Sequence, residues 1–403
     1  MVEASTQRRL AVALWLIYAL LSAGLAINDG VANALFLARV GATDLPLVFI
    51  AKALLDMLGA ALYVRVDRRL GARATLVLLL VFAALGSAGA WLGVRALPGA
   101  WTYLALFAFE EVCQTLLKIH WGVYLLERFD AVSARRYFPS IYTGARVGAV
   151  AGGLMLGPLA GPLGPSNLML VAALLFVAAT VAVLARSSAT PRDHESDAVN
   201  EADVGPLRAL GRVRSALSSS LVRATAVATP LMVLSRYALR YRYSALLSSV
   251  LGEVELARVY GLYVASANTL AVLVQLFVTA RLYALPSGVT STNIGYALTL
   301  PAALALMWRV PSLLSALVGR VVESELKVAL KTPLSNLFYG VLPAEQRAAA
   351  RALVLGLIVP LATLVAAALL RRPAWLDSWA LPCAAAFVLA SLLQNRAYRS
   401  AER

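Results

Sequence analysis

Runs of about 20 mostly apolar residues, the length a helix needs to cross hydrocarbon, alternate along this chain with short polar segments. Twelve such runs begin near Leu10, Pro46, Ala72, Ala100, Phe138 and Asn167, then near Arg223, Val259, Leu285, Val310, Ala352 and Trp379. Moved on by 213 positions, the first six starts fall at 223, 259, 285, 313, 351 and 380, within a few residues of the second six. The stretch from Arg186 to Ser220 breaks the pattern. It carries Arg192, Asp193, Glu195, Asp197, Glu201 and Asp203 and has no apolar run. The pattern predicts an all-α polytopic membrane protein. Its twelve transmembrane helices fall into two pseudo-symmetric six-helix halves, 1–186 and 221–403, joined by a cytoplasmic linker over 187–220.

Composition agrees: 61% of the 403 residues are hydrophobic and only 14% charged, against roughly 25% charged in soluble domains. The net charge of +15 would point to nucleic acid in a soluble protein. Here most of the excess lies in short loops, where Lys and Arg orient a membrane chain. With the N-terminus inside, 21 basic residues fall in inside segments and six in outside segments. Both termini are therefore expected on the cytoplasmic side, of a bacterial inner membrane in this reading. Cys113 and Cys383 lie in apolar spans and imply no disulfide framework. The two histidines, His120 and His194, form no metal-ligand cluster, and no nucleophile stands beside a base. No enzyme, cofactor or metal is expected.

The remaining charges are the informative ones. Nine basic residues sit at membrane depth: Lys52, Lys118, Arg146, Arg236, Arg240, Arg242, Arg320, Lys327 and Lys331. Six acids join them: Asp29, Asp56, Glu110, Glu111, Glu323 and Glu325. Ionised groups at that depth are costly and face a bundle interior or a solute path. Lys52 and Asp56 are four residues apart, as are Glu323 and Lys327, so each pair has the spacing to neutralise itself on one helix face. Glu110 and Lys118 recur as Glu323 and Lys331 at the same 213-residue offset. A pseudo-two-fold axis would bring the two lysines to opposite sides of one cavity, the usual transporter arrangement. Lys118, Lys331, Arg236, Arg240 and Arg146 are the candidate substrate cations. Asp29, Glu110, Glu323 and Lys327 are the candidate partners or coupling groups. Arg236 lies roughly 20 Å along its span at 1.5 Å per residue and shares a face with Arg240. Two guanidiniums on one face suit phosphate or carboxylate oxygens. Tyr237, Tyr241 and Tyr243 interleave with them, as an interfacial belt or as a stacking surface. Gly144, Gly148, Gly152 and Gly153 around Arg146 suit close helix approach.

The stretch Asp67-Arg68-Arg69-Leu70-Gly71-Ala72-Arg73 between the second and third spans resembles the cytoplasmic loop motif of major facilitator transporters. Asp67, Arg68, Gly71 and Arg73 carry the likeness, which the second half lacks. Three further stretches narrow it. Phe36-Leu37-Ala38-Arg39-Val40-Gly41 leads into Leu45-Pro46-Leu47-Val48-Phe49-Ile50. Arg135-Arg136-Tyr137-Phe138-Pro139 opens the fifth span. Leu326-Lys327 through Pro333, Tyr339 and Leu342-Pro343-Ala344-Glu345-Gln346-Arg347 close the tenth. Together they resemble the nucleotide transporter family, the ATP:ADP antiporters of plastids and intracellular bacteria, and more closely its divergent free-living branch. That resemblance implies a major-facilitator-like fold and movement of an anionic nucleotide or related metabolite. The exchangers carry Arg-Asp-Thr-Lys on the first helix, where this chain reads Asn28-Asp29-Gly30-Val31. Asp29 survives and the two cations are missing, which withdraws the specific support for ATP:ADP exchange.

The expectation is therefore a secondary-active transporter of an anionic solute, set in a lipid bilayer and working by alternating access. No nucleotide-hydrolysis motif is present, so a coupling proton or a counter-substrate would drive it. Two other readings remain open: a carrier or flippase of an amphipathic anionic lipid, and a non-transporting membrane sensor or scaffold.

Overall fold

The computed structural model describes residues 2–129, 131–186, 217–274, 285 and 287–402, so most of the linker at 187–220 lies outside the described residues. All regular structure among them is helical. Helices α1 Val2–Arg39, α2 Leu45–Ala96, α3 Ala100–Leu126, α4 Ala131–Leu163 and α5 Leu168–Leu184 come first. There follow α6 Ser220–Val250, α7 Glu253–Leu273, α8 Gly288–Arg309, α9 Leu313–Arg320, α10 Thr332–Gly340, α11 Ala344–Leu353, α12 Val359–Leu370 and α13 Leu376–Glu402. Helix α2 is two rods fused across a kink at Gly71. Helices α9 and α10 are the ends of one rod, and α11 and α12 of another, each continued by π-helical turns. Counted this way, the described residues make the twelve rods that the apolar pattern predicts. Among the described residues, five helical stretches, 7–39, 69–96, 165–184, 349–370 and 373–402, are long and apolar enough to cross a membrane by length and composition alone.

Helix is the form that satisfies every backbone group of an apolar segment within the segment itself. The breaks have local causes. Gly41 ends α1 at φ 95°, with the N–H groups of Val40 and Gly41 both donating to the Phe36 carbonyl at 2.8 and 3.1 Å. That left-handed closure favours glycine. Gly71, at φ 75° and ψ 161°, does the same between the second and third spans. Ser312 opens α9 with a capping box to Ser315.

The π turns have a sequence cause at two of three places. The N–H groups of Leu326, Thr332 and Val359 each reach the carbonyl five residues back, at Val321, Lys327 and Val354. Pro333 follows the second turn and Pro360 the third. A proline ring collides with the carbonyl four residues before it and offers no N–H. A widened turn relieves that collision while the rod continues. No proline stands behind the first π turn, Val321–Glu325.

Packing groups the described backbone into two compact units. One draws on the described residues within Met1–Gly41, Leu54–Asp193 and Val250–Leu270, the other on those within Ala42–Ala53, His194–Ser249 and Ala271–Arg403. In the first unit α1 lies along α4. Gly144, Gly148 and Gly152, four apart and so on one face, meet the carbonyls of Trp15, Ala19 and Ala23, also four apart. A Cβ at any of the three would overlap that backbone. On the next face of α4, Gly153 meets Gly261 of α7, and each glycine lies against the other's carbonyl. The small residues of the fifth span do serve close helix approach. In the second unit, Leu221, Leu334, Phe338, Leu342, Leu353 and Tyr398 form a buried cluster that ties α6, α10, α11 and α13 together at one end.

Candidate functional site

In the first unit, Glu110, Gln114 and Lys118 are spaced by four residues down α3, so their side chains stack along one face. Lys118 Nζ donates to Gln114 Oε1, and Gln114 Nε2 donates to Glu110 Oε1. The chain of contacts runs from inside to outside. Glu110 is fully buried, and its Oε2 has no hydrogen-bond partner. Lys118 is exposed. Asp29 of α1 and Glu111 lie within electrostatic reach of Glu110. Asn33 holds Asp29, donating from Nδ2 to Oδ1 at 2.9 Å and to the Asp29 carbonyl at 2.8 Å. On α4, half-buried Arg146 donates to Asn268 Oδ1 of α7 at 2.9 Å. His120 is buried against the Ala72 carbonyl at 2.7 Å and has a structural part.

The loop motif at residues 67–73 builds a cap. The Gly71 kink turns the chain, and Arg73 then places Nη2 on the carbonyls of Val183, Leu184 and Arg186 at 3.4, 3.0 and 2.6 Å. These carbonyls lie at the C-terminal end of α5, where a cation is also favoured by the helix dipole. The side chains of Asp67 and Arg68 lie outside the described residues, as does that of Asp56.

In the second unit the cations of α6 find separate partners. Arg236 forms a buried ion pair with the Glu323 carboxylate and donates from Nε to the Glu323 carbonyl at 2.9 Å. Tyr243 adds a contact at 3.4 Å to the other carboxylate oxygen. The spacing of Glu323 and Lys327 suggested a pair within one helix. Instead the carboxylate turns to the guanidinium of another helix, which reaches both its side chain and its backbone. Lys327 stays within electrostatic reach of Arg236, Glu323 and Lys52. Arg240 lies over the Phe49 ring, 5.4 Å from its centroid, and Tyr237 packs edge-on to the same ring at 4.5 Å. Arg242 pairs with Asp377 at 2.7 Å in an exposed position. The three arginines that the sequence places on one short stretch thus have three different surroundings.

Lys331 is 5% exposed. Its Nζ donates to Asn293 Oδ1 of α8 at 2.7 Å and to Gln394 Oε1 of α13 at 3.3 Å. The rings of Phe338 and Phe387 lie 5.6 and 5.7 Å away. Asn293 Nδ2 donates to Asn395 Oδ1 at 2.9 Å, and Gln394 Nε2 donates to Thr225 Oγ1 of α6 at 2.9 Å. Amide oxygens and aromatic faces thereby take the place of water around the ammonium.

Sequence reasoning missed Gln114, Asn293 and Gln394. Gln114 was legible, since it is the midpoint of Glu110 and Lys118 at helical spacing. Asn293 and Gln394 stood out only as amides in apolar runs, and their common partner became visible with the packing of α8 against α13.

Charged and amide groups clustered inside apolar helices define the class: an α-helical integral membrane protein with polar sites built within its spans. The sequence matches no protein-family model and none of the curated proteins. Solved structures do match in fold. The nucleoside transporter NupG superposes with a TM-score of 0.66 at 11% identity, over 98% of this chain and 100% of that one. A bacterial homologue of the iron transporter ferroportin, in an inward-facing state, gives 0.64 at 15% identity, over 98% of each chain. The POT-family transporter PepTSo gives 0.61 at 14%, over 97% and 98%. The fold is that of a major-facilitator-like, twelve-helix membrane protein.

Proposed function

We propose that the protein is a secondary carrier that moves an anionic solute, a nucleotide or a related phosphorylated or organic anion, by alternating access of two six-helix halves, 1–186 and 221–403. The observation that carries this reading is the surplus of positive charge inside the spans, nine cations against six acids. Arg236 and Lys327 stand within reach of one another there. Such a surplus is costly at membrane depth unless an anion completes it. Phosphate and carboxylate oxygens fit guanidinium forks and ammonium groups. Lys118, Arg146, Arg236 and Arg240 are the proposed contacts. Lys331 joins them only when movement of the halves strips its amide partners. The fold neighbours are transporters, which supports transport and leaves the solute to be found.

The sequence has no motif for nucleotide hydrolysis, so exchange or an ion gradient supplies the energy in this reading. Glu110 is the proposed carrier of a coupling proton: it is buried, one of its oxygens is unpartnered, and Gln114 links it to Lys118. The excess of 21 inside over six outside basic residues supports a bacterial inner membrane with both termini cytoplasmic.

The test is a thermal-unfolding screen of the purified protein against nucleotides, sugar phosphates, organic anions and anionic lipids. A bound ligand raises the midpoint by mass action. Uptake into proteoliposomes by wild type and Lys118→Gln follows. Stabilisation by a soluble anion and loss of its uptake in the variant are expected. Stabilisation by lipids alone would favour the flippase, and binding without flux the sensor. Undiminished uptake by Lys118→Gln removes the proposed site.

A further inference from the structure

One face of the first unit carries an aromatic ring in an unusual place. Tyr142 of α4 is 41% exposed, yet it is held from behind. It packs edge-on to Tyr18 of α1 at 5.6 Å and 84°. Tyr18 stacks on Trp121 of α3 at 4.6 Å and 16°, and both of those are buried. The ring therefore has little freedom to move while its own surface stays open. Its hydroxyl lies over Gly122, where even a Cβ would come within 3.5 Å. The missing side chain leaves room beside the phenol.

Two cations stand one helical turn from the ring and from the glycine beneath its hydroxyl. Gly122 is one turn beyond Lys118 on the same face of α3, and Arg146 is one turn beyond Tyr142 on the same face of α4. Lys118 is exposed and sits at membrane depth within an apolar span. An ammonium at that depth is costly on a lipid-facing surface and belongs on a polar path; here it is held by Gln114 Oε1. A rigid, mostly aromatic surface with a few placed polar groups is the usual make-up of a small-molecule site.

We infer that Tyr142, Lys118 and Arg146 form a subsite for a planar aromatic ring that bears an anionic group, with the ring stacked on Tyr142 and the anion held by the two cations. This rests on the carrier reading and narrows its solute to ring-bearing anions, of which a nucleotide is one and a sugar phosphate is not. Stacking on an aromatic side chain tolerates different bases, because each offers a π-face.

The experiment compares probes that share a phosphate and differ in the ring: adenosine and uridine monophosphates against ribose 5-phosphate. Binding to the detergent-purified full chain is measured for wild type, Tyr142→Phe, Tyr142→Leu and Lys118→Gln, with unfolding midpoints confirming that each variant folds. Wild type is expected to bind the nucleotides about ten-fold or more tighter than ribose 5-phosphate. Tyr142→Phe keeps that ratio, Tyr142→Leu brings it close to one, and Lys118→Gln weakens all three probes alike. Equal binding of the probes by wild type, or an intact ratio in Tyr142→Leu, overturns the subsite while the carrier reading stands. Binding of no anion at all, in this set or in the wider screen, overturns both.

Discussion

Helix α3 and the rod made by α9 and α10 occupy matching places in the 213-residue repeat, yet they treat the same charges in opposite ways. Glu110, Gln114 and Lys118 become Glu323, Lys327 and Lys331. In α3 the middle residue is an amide. It donates to the acid and accepts from the cation, so the three groups are linked within one helix, with one Glu110 oxygen left over. In the second rod the middle residue is a lysine, which has no acceptor. Lys331 must then look to other helices, and Glu323 turns to a guanidinium of another helix although Lys327 stands at helical spacing. Glu323 takes Arg236 of α6, and Lys331 takes Asn293 of α8 and Gln394 of α13. The backbone differs as well: α3 is a regular helix, while the second rod carries π turns at Val321–Glu325 and Lys327–Lys331. One change from a neutral bridge to a cation separates a self-contained helix from one stitched to three neighbours.

Three substitutions break or sharpen that contrast. The largest effect is expected from Arg236→Leu, which strands a buried carboxylate. Removing one partner of a buried pair costs about 3–5 kcal/mol, and the unfolding midpoint of the purified protein should fall accordingly. The double variant Arg236→Leu with Glu323→Leu should recover most of it. A single variant as stable as wild type would show that the stitch contributes nothing. Gln114→Leu is next. It removes the bridge in α3 and leaves the buried Glu110 without its donor, a loss of about 1–3 kcal/mol. An effect as large as that of Arg236→Leu would mean that α3 is not self-contained. The smallest effect belongs to Asp377→Asn. Its partner Arg242 and the aspartate are 25% and 59% exposed, and an open pair of this kind is worth about 0–1 kcal/mol. A larger loss would make the Arg242 end of α6 as dependent on charge as its middle.

Much of the fold was legible along the chain. Apolar runs of bilayer length marked the twelve rods, because a helix is the one way such a segment satisfies its backbone in hydrocarbon. Gly144, Gly148 and Gly152 announced a close helix contact through their spacing, although not that α1 would be the partner. The Gly71 loop was visible as a motif, while the use of Arg73 to cap α5 was not. For the charges, the sequence named the buried members, though not Asp377, and no pairing outside a single helix. Glu323 with Lys327 was the natural pair at helical spacing, and the structure placed Glu323 with Arg236, 87 residues away.

By itself, then, the order of residues determined which segments are helical, where they break and which charges lie among apolar neighbours, since all three follow from interactions within a few turns of one chain. Tertiary structure alone decided which partners Arg236, Glu323 and Lys331 take. An ion or amide inside an apolar bundle is satisfied by whichever complementary group the packed helices bring within hydrogen-bond reach, and that choice depends on helix faces meeting from distant parts of the chain.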